Sequence, residues 1–178
     1  MRTLILIFVM LMLVAARRNG EYTTVGDCTV QFEIVNAGIT VTGVVEDVVA
    51  QIDFDPGDIN HSHIIAKAKP QSIRTGIQIR DKHLQRSDYF HSALFPEITL
   101  TSTVFRKVRK NNYMGTFKLT TKGVTKVIQV PFKVTKEDNV TIYSGIFEIN
   151  RMDFGLGEES LILDNRVKIA ITARAIQP

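Results

Sequence analysis

Apolar and polar residues alternate with a period of two along most of the chain beyond residue 28. Val30, Phe32 and Ile34 alternate with Gln31 and Glu33, and Ile39 and Val41 with Thr40 and Thr42. Ile52 and Phe54 alternate with Asp53 and Asp55, and Ile64, Ala66 and Ala68 with Lys67 and Lys69. Ile98, Leu100, Ser102 and Val104 are separated by threonines, and Phe117 and Leu119 by Lys118. Ile128, Val130, Phe132 and Val134 alternate with Gln129 and Lys133, Phe147 and Ile149 flank Glu148, and Val167, Ile169, Ile171 and Ala173 alternate with Lys168, Thr172 and Arg174. Successive side chains of a strand point to opposite faces, so the pattern predicts eight or nine strands, each apolar on one face. Turn signals stand between them at Pro56-Gly57-Asp58, Asn111-Asn112, Lys122-Gly123, Asp138-Asn139 and Asp164-Asn165. The short gaps between the late strands predict antiparallel hairpins.

One stretch breaks the alternation. Arg80 to Leu94 carries Leu84, Phe90 and Leu94 among charged residues. It predicts one short helix or two turns, with Asp81 as N-cap and Pro96 as the stop.

Strands with one apolar face must close on themselves or pack on a second layer. The strand number, the hairpins and the single helix favour an all-β fold, a closed antiparallel barrel of about eight strands rather than an open sandwich. Such a barrel is just wide enough to be filled by its own side chains or to hold one small ligand. The alternation leaves both outcomes open. A filled barrel would suit a structural or stress-response interaction protein. A hollow one would present Phe32, Ile34, Val41, Ile52, Phe54, Ile98, Leu100, Phe117, Val130, Phe132, Phe147 and Ile149 to an apolar tail.

The N-terminus is a separate piece. Arg2 precedes an unbroken apolar run of thirteen residues, Leu4 to Ala16, ending in Val14-Ala15-Ala16. Crossing a bilayer takes about 20 residues, so residues 1–16 are expected to be a secretory signal peptide. Residues 17–178 then form one domain, periplasmic or secreted. The 178 residues, 44% apolar and 22% charged, suit one globular domain.

Candidate chemistry is sparse. The net charge of +4 is too small to indicate nucleic acid. Arg106 to Lys110 puts four charges on a hairpin tip, either solvated or drawn to an anionic membrane surface. The single cysteine, Cys28, excludes an intramolecular disulfide and is expected to be a buried small hydrophobe. His61 and His63 share a strand face, and Asp53, Asp55 and Asp58 resemble the start of a calcium loop. Neither set has the further ligands that a metal site needs. Motifs of nucleophilic, zinc-hydrolase or nucleotide chemistry do not occur. The expectation is a binding protein without cofactor, not an enzyme.

Four stretches, in order, resemble the YceI-like family of exported lipid-binding proteins. They are Gly43 to Pro56; Ser72 to Thr99, with Thr75-Gly76, Arg80-Asp81-Lys82-His83-Leu84, Asp88-Tyr89-Phe90 and Pro96-Glu97-Ile98; Gly115 to Lys126, followed by Pro131; and Phe147 to Gly155, with Asn150-Arg151-Met152-Asp153. Many members carry a histidine before the glycine that follows the first strand, where this chain has Ala37-Gly38. The resemblance implies an eight-stranded antiparallel lipocalin-like barrel with one short helix packed against it, located in the periplasm, that holds a polyisoprenoid or other fatty amphiphile, a prenyl quinone among the options, and often a homodimer. Arg80 and Asp81 are expected to pin the helix to the barrel, and Asn150, Arg151 and Asp153 to form a turn. Arg151, and after it Arg80, are the candidates for contact with an anionic head group.

Overall fold

A computed structural model describes residues 23–25 and 27–176, and the expected leader lies outside the described residues. The chain runs β1 (Thr23–Val25), β2 (Asp27–Asn36), β3 (Ile39–Val45), β4 (Val48–Asp53), β5 (His63–Ala68), β6 (Ile73–Arg74), α1 (Gln78–Leu84), β7 (Ile98–Arg109), β8 (Asn112–Thr121), β9 (Val124–Glu137), β10 (Val140–Asn150) and β11 (Arg166–Ile176). Short 3-10 helices cover Pro70–Ser72 and Arg151–Phe154.

All eleven strand segments join one antiparallel sheet. β1 and β2 follow one another, as do β3 and β4, and the two runs pair in one continuous register from Thr23↔Ile52 to Asn36↔Ile39. The β2 run pairs on its other side with β11, and β4 pairs with β5, so the curled sheet meets itself. Counting each bent run once and leaving out the two-residue β6 gives the eight expected strands. Two hairpins turn through residue pairs with positive φ, Ala37-Gly38 (49° and 78°) and Lys122-Gly123 (48° and 76°). This geometry matches the twist of the strands they join.

The structure corrects two details of the pattern. The register of β7 against β8 slips between Ser102 and Val104. Beyond this bulge Val104 faces out at 56% exposure and Phe105 is buried at 4%. The helix starts and ends earlier than expected, over Gln78–Leu84, and Ile77 occupies its N-cap position without a side-chain bond. Asp81 lies one turn in and its carboxylate instead accepts the Thr75 backbone N–H at 2.9 Å. Beyond Leu84 the chain folds back in turns, with Phe90 N–H donating to the Leu84 carbonyl at 3.0 Å.

The barrel has two unlike halves. One end carries the β4–β5 loop, the β7–β8 and β9–β10 hairpins and the end of β11. There Phe105, Tyr113, Phe117 and Phe132 are buried together. Phe54 meets Phe105, Tyr113, Phe132 and Tyr143 edge-on, with ring centroids 4.9–6.1 Å apart. The other end carries the β2–β3 turn, α1, the β8–β9 turn and the β10–β11 connection. That end is hollow.

Candidate ligand cavity

The hollow half encloses a cavity of about 430 Å³. Its walls include inward residues at one end of most strands: Val30, Phe32 and Ile34 on β2, Val41 on β3, Ala66 and Ala68 on β5, Ile98 and Leu100 on β7, Leu119 on β8, Phe147 and Ile149 on β10, and Ile169 and Ile171 on β11. Ile73, Leu84, Tyr89 and Phe90 from the segment around α1, and Leu156 and Leu163 from the β10–β11 connection, add to the lining.

Of the twelve inward candidates, seven line this cavity: Phe32, Ile34, Val41, Ile98, Leu100, Phe147 and Ile149. The other five, Ile52, Phe54, Phe117, Val130 and Phe132, lie toward the packed end and are not among the lining residues. Alternation selected the correct face in both groups but carries no information on position along the barrel axis. Val30, Ile169 and Ile171 were visible in the same alternation. Leu84, Tyr89, Phe90, Leu156 and Leu163 come from non-strand segments, where period two has no meaning.

Arg80 and Arg151 both reach the cavity. Arg151 opens the 3-10 helix that follows β10, capped by the Asn150 side chain, which accepts the Met152 N–H at 2.9 Å. The side chain is buried at 2% exposure. Its Nε donates to the Asp164 carbonyl at 3.1 Å, Nη1 to Leu156 at 2.8 Å and Nη2 to Glu158 at 2.8 Å. These bonds tie the β10–β11 connection to the barrel and use three of five guanidinium donors. Arg80 holds the chain where it leaves β6, with Nε donating to Thr75 Oγ1 and Nη2 to the Thr75 carbonyl, both at 2.7 Å. The Thr75 hydroxyl in turn donates a hydrogen bond to the Asp81 carboxylate. Arg80 and Asp81 therefore pin the segment before the helix through a shared threonine, not through the helix N-terminus.

The charges around the cavity are one-sided. Among its described lining residues the ionisable ones are Lys67, Arg80, His83, Tyr89 and Arg151, with no Asp or Glu. Lys67 is ion-paired to Glu97 at 3.2 Å, and His83 Nε2 is hydrogen-bonded to the Asp88 carboxylate at 2.9 Å. The hydrogen bond from His83 holds the Asp88 carboxyl below its usual range. Neither Arg80 nor Arg151 is ion-paired among the described residues. Each is held by neutral oxygens, which fix the fork in place without cancelling its charge.

The remaining candidates lie elsewhere. His61 Nδ1 turns to Asp58 at 2.8 Å, and His63 Nδ1 lies 3.2 Å from Ser102 Oγ. Asp55 Oδ1 accepts the Gly57 N–H at 2.8 Å within the β4–β5 loop. The basic Arg106–Lys110 tip belongs to the β7–β8 hairpin, at the end away from the cavity. Cys28 is half-buried, and burial together with Asp27 pushes its thiol up to about 11.

The profile of the YceI-like domain matches residues 24–175. The chain belongs to the YceI-like family. A UPF0312 protein of Pseudomonas syringae pv. syringae is 30% identical over 145 residues, 76% of each chain. Another, of Photorhabdus laumondii, is 31% identical over 110 residues, which span 61% of this chain and about half, 54%, of the relative. The YceI protein of Campylobacter jejuni superposes with a TM-score of 0.71 at 28% identity, over 78% of this chain and 85% of that one. A polyisoprenoid binding domain of Saccharophagus degradans superposes with a TM-score of 0.71 at 13% identity, over 89% and 100%. At that identity the likeness shows the YceI-like fold alone.

Proposed function

We propose that this YceI-like protein is a binding protein that holds one long-chain amphiphile with an acidic head group, its tail in the cavity and its head at the two arginines. A polyisoprenoid phosphate or a fatty acid has this chemistry. A prenyl quinone shares the tail and would meet the arginines through its carbonyl oxygens. One observation carries the proposal: an apolar void whose strongly charged lining residues are all cations, with two guanidiniums held by neutral oxygens. Burial of the tail contributes roughly 0.8 kcal/mol per methylene. An anion at a partly desolvated guanidinium fork adds orientation. The role is passive transport or storage and needs no catalytic group. The leader over residues 1–16 supports export to the periplasm, and its removal is read by N-terminal sequencing of the protein from fractionated cells.

The test is a fluorescence titration with a long-chain alkyl phosphate and the matching alcohol. Ile149→Arg, which puts a charge in the apolar wall, is expected to abolish binding of both. Arg80→Met is expected to weaken the phosphate about tenfold and leave the alcohol unchanged. Unchanged binding by Ile149→Arg, or no saturable binding to the native protein, would overturn the proposal.

A further inference from the structure

Large aliphatic side chains stand in water around the hollow end. Ile39 opens β3, Ile77 and Ile79 stand at the start of α1, and Leu161 and Ile162 lie in the β10–β11 connection, all of them exposed. Leu161 is fully exposed, and Ile79 is 81% exposed. Each of these segments also lends residues to the cavity wall: Val41 on β3, Arg80 and Leu84 on α1, and Leu163 in the connection. Ile39 pairs directly across the hairpin with Asn36, another lining residue, so the two share a face of the sheet. Ile39 thus continues the inward row of β3 past the cavity and into solvent. Leu161 is no loose loop tip. Ser160 Oγ accepts the Ile162 and Leu163 backbone N–H groups at 3.2 and 3.1 Å, and the Ile162 carbonyl accepts the Ala37 N–H at 2.7 Å. The turn is fastened to the β2–β3 hairpin and holds Leu161 out in water. Scattered apolar residues on a surface need no explanation, but a set on three segments around one apolar cavity marks an interaction surface.

We infer that this aliphatic rim docks the hollow end on a lipid bilayer, so that the tail of the cargo passes between bilayer and cavity without crossing water. The inference rests on the lipid-holding function proposed above. Each methylene that must enter water slows release by about fourfold. A contact that joins the cavity to hydrocarbon removes that barrier. The charges in the rim segments favour a bilayer over a protein partner. Lys82 on α1 and Glu158 and Glu159 before Leu161 are exposed and of both signs. A second copy of the chain, or another protein, would have to bury or pair them. At a bilayer they extend into the hydrated head groups while the aliphatic side chains enter the apolar layer. The mixed sign also frees the docking from any need for anionic lipid. The basic Arg106–Lys110 tip, at the far end of the barrel, would require it.

Two measurements test this. Flotation with phosphatidylcholine vesicles reads docking without any cargo. Stopped-flow transfer of a pyrene-labelled long-chain alkyl phosphate from the loaded protein to the same vesicles reads exchange. The native protein is expected to float in low and high salt alike, and its transfer rate to rise in proportion to vesicle concentration. Leu161→Ser and Ile79→Ser are each expected to lower vesicle affinity and transfer rate about tenfold, the order expected when one exposed aliphatic side chain no longer leaves water. Neither residue lines the cavity, so affinity for a soluble short-chain alkyl phosphate stays at the native level. Val108→Ser, at an exposed aliphatic position on the β7–β8 hairpin of the packed end, changes neither readout. A transfer rate independent of vesicle concentration would overturn the direct exchange. Flotation that needs anionic lipid, vanishes in high salt and survives Leu161→Ser would overturn the rim as the docking surface. A native protein that does not float, but forms a dimer that Leu161→Ser dissociates, would overturn it too. If the native protein floats but binds no alkyl phosphate saturably, the lipid-holding function fails and the exchange with it, while docking by the rim stands.

Discussion

Arg151 illustrates what a buried charge does when its partners are carbonyls. Its fork closes the β10–β11 connection over one side of the cavity, and no carboxylate is ion-paired to it among the described residues, although the Asp164 carboxylate feels its charge at longer range. Arg151→Met keeps most of the stem but leaves three carbonyls without a donor. The expected cost is about 3 kcal/mol, since each hydrogen bond to a charged group contributes roughly 1.5–3 kcal/mol and rehydration recovers part. Urea denaturation measures it, and a loss below about 1 kcal/mol would mean that the fork does not hold the connection. Cys28 gives a prediction in pH. Its thiol is raised from 9.0 to about 11 by burial and by Asp27. A group whose folded value is raised contributes stability that is complete below the unfolded value and is lost as pH climbs through the folded one. The native protein should therefore lose stability between about pH 9 and pH 11, and Cys28→Ala should flatten that limb of the denaturation profile. Both residues stood out in the sequence, Arg151 by its motif and Cys28 by being alone. The carbonyls that bind Arg151 lie five to thirteen residues further on in irregular chain, where no periodicity points to them.

Among the elements, the strands were the most legible part, because a two-residue period is a direct image of a half-buried sheet. The limits came where backbone geometry changes without a change of pattern. Ser102, Val104 and their neighbours continue the alternation, yet the bulge at Thr103 exchanges the faces and delivers Phe105 to the packed end. The helix was legible as a break in the pattern, but its cap was not, because Asp81 serves Thr75 instead. The β2–β3 hairpin supports a further prediction. Phe32 pairs across it with Gly43, and a Cβ built at Gly43 would lie 2.3 Å from the Phe32 ring and 3.0 Å from the Arg74 carbonyl oxygen. Gly43→Ala therefore forces the ring into the cavity and presses on backbone at the same time. Overpacking of this kind costs typically 1–3 kcal/mol. We expect that loss together with about tenfold weaker binding of a long-chain phosphate. Loss of stability with full affinity would show that Phe32 does not move inward.

At the scale of the whole molecule, the chain combines the two outcomes that the alternation left open. The barrel is filled at one end by a cluster of aromatic rings and hollow at the other, where Ile, Val, Ala and Phe line the wall. Both halves of a strand show the same period, so only the volumes of inward residues on all the strands together, including Phe54 from a loop, separate them. That sum requires the register of the whole sheet. The family resemblance reached the fold correctly because its four motifs span the same barrel, and the YceI-like match over residues 24–175 agrees. A ligand that binds only the folded state raises its stability, by about 2.7 kcal/mol at one hundred times Kd. Saturating alkyl phosphate should accordingly raise the melting temperature of the native protein by several degrees, and that of Ile149→Arg not at all.

The most direct test of the central claim, that the hollow half holds one amphiphile, is native mass spectrometry of the protein purified from a bacterial host, before and after solvent extraction. The account predicts one acidic long-chain molecule per chain, released by extraction, restored by incubation with an alkyl or prenyl phosphate, and absent from Ile149→Arg prepared in parallel. A bare mass that stays bare after incubation with these lipids would contradict it.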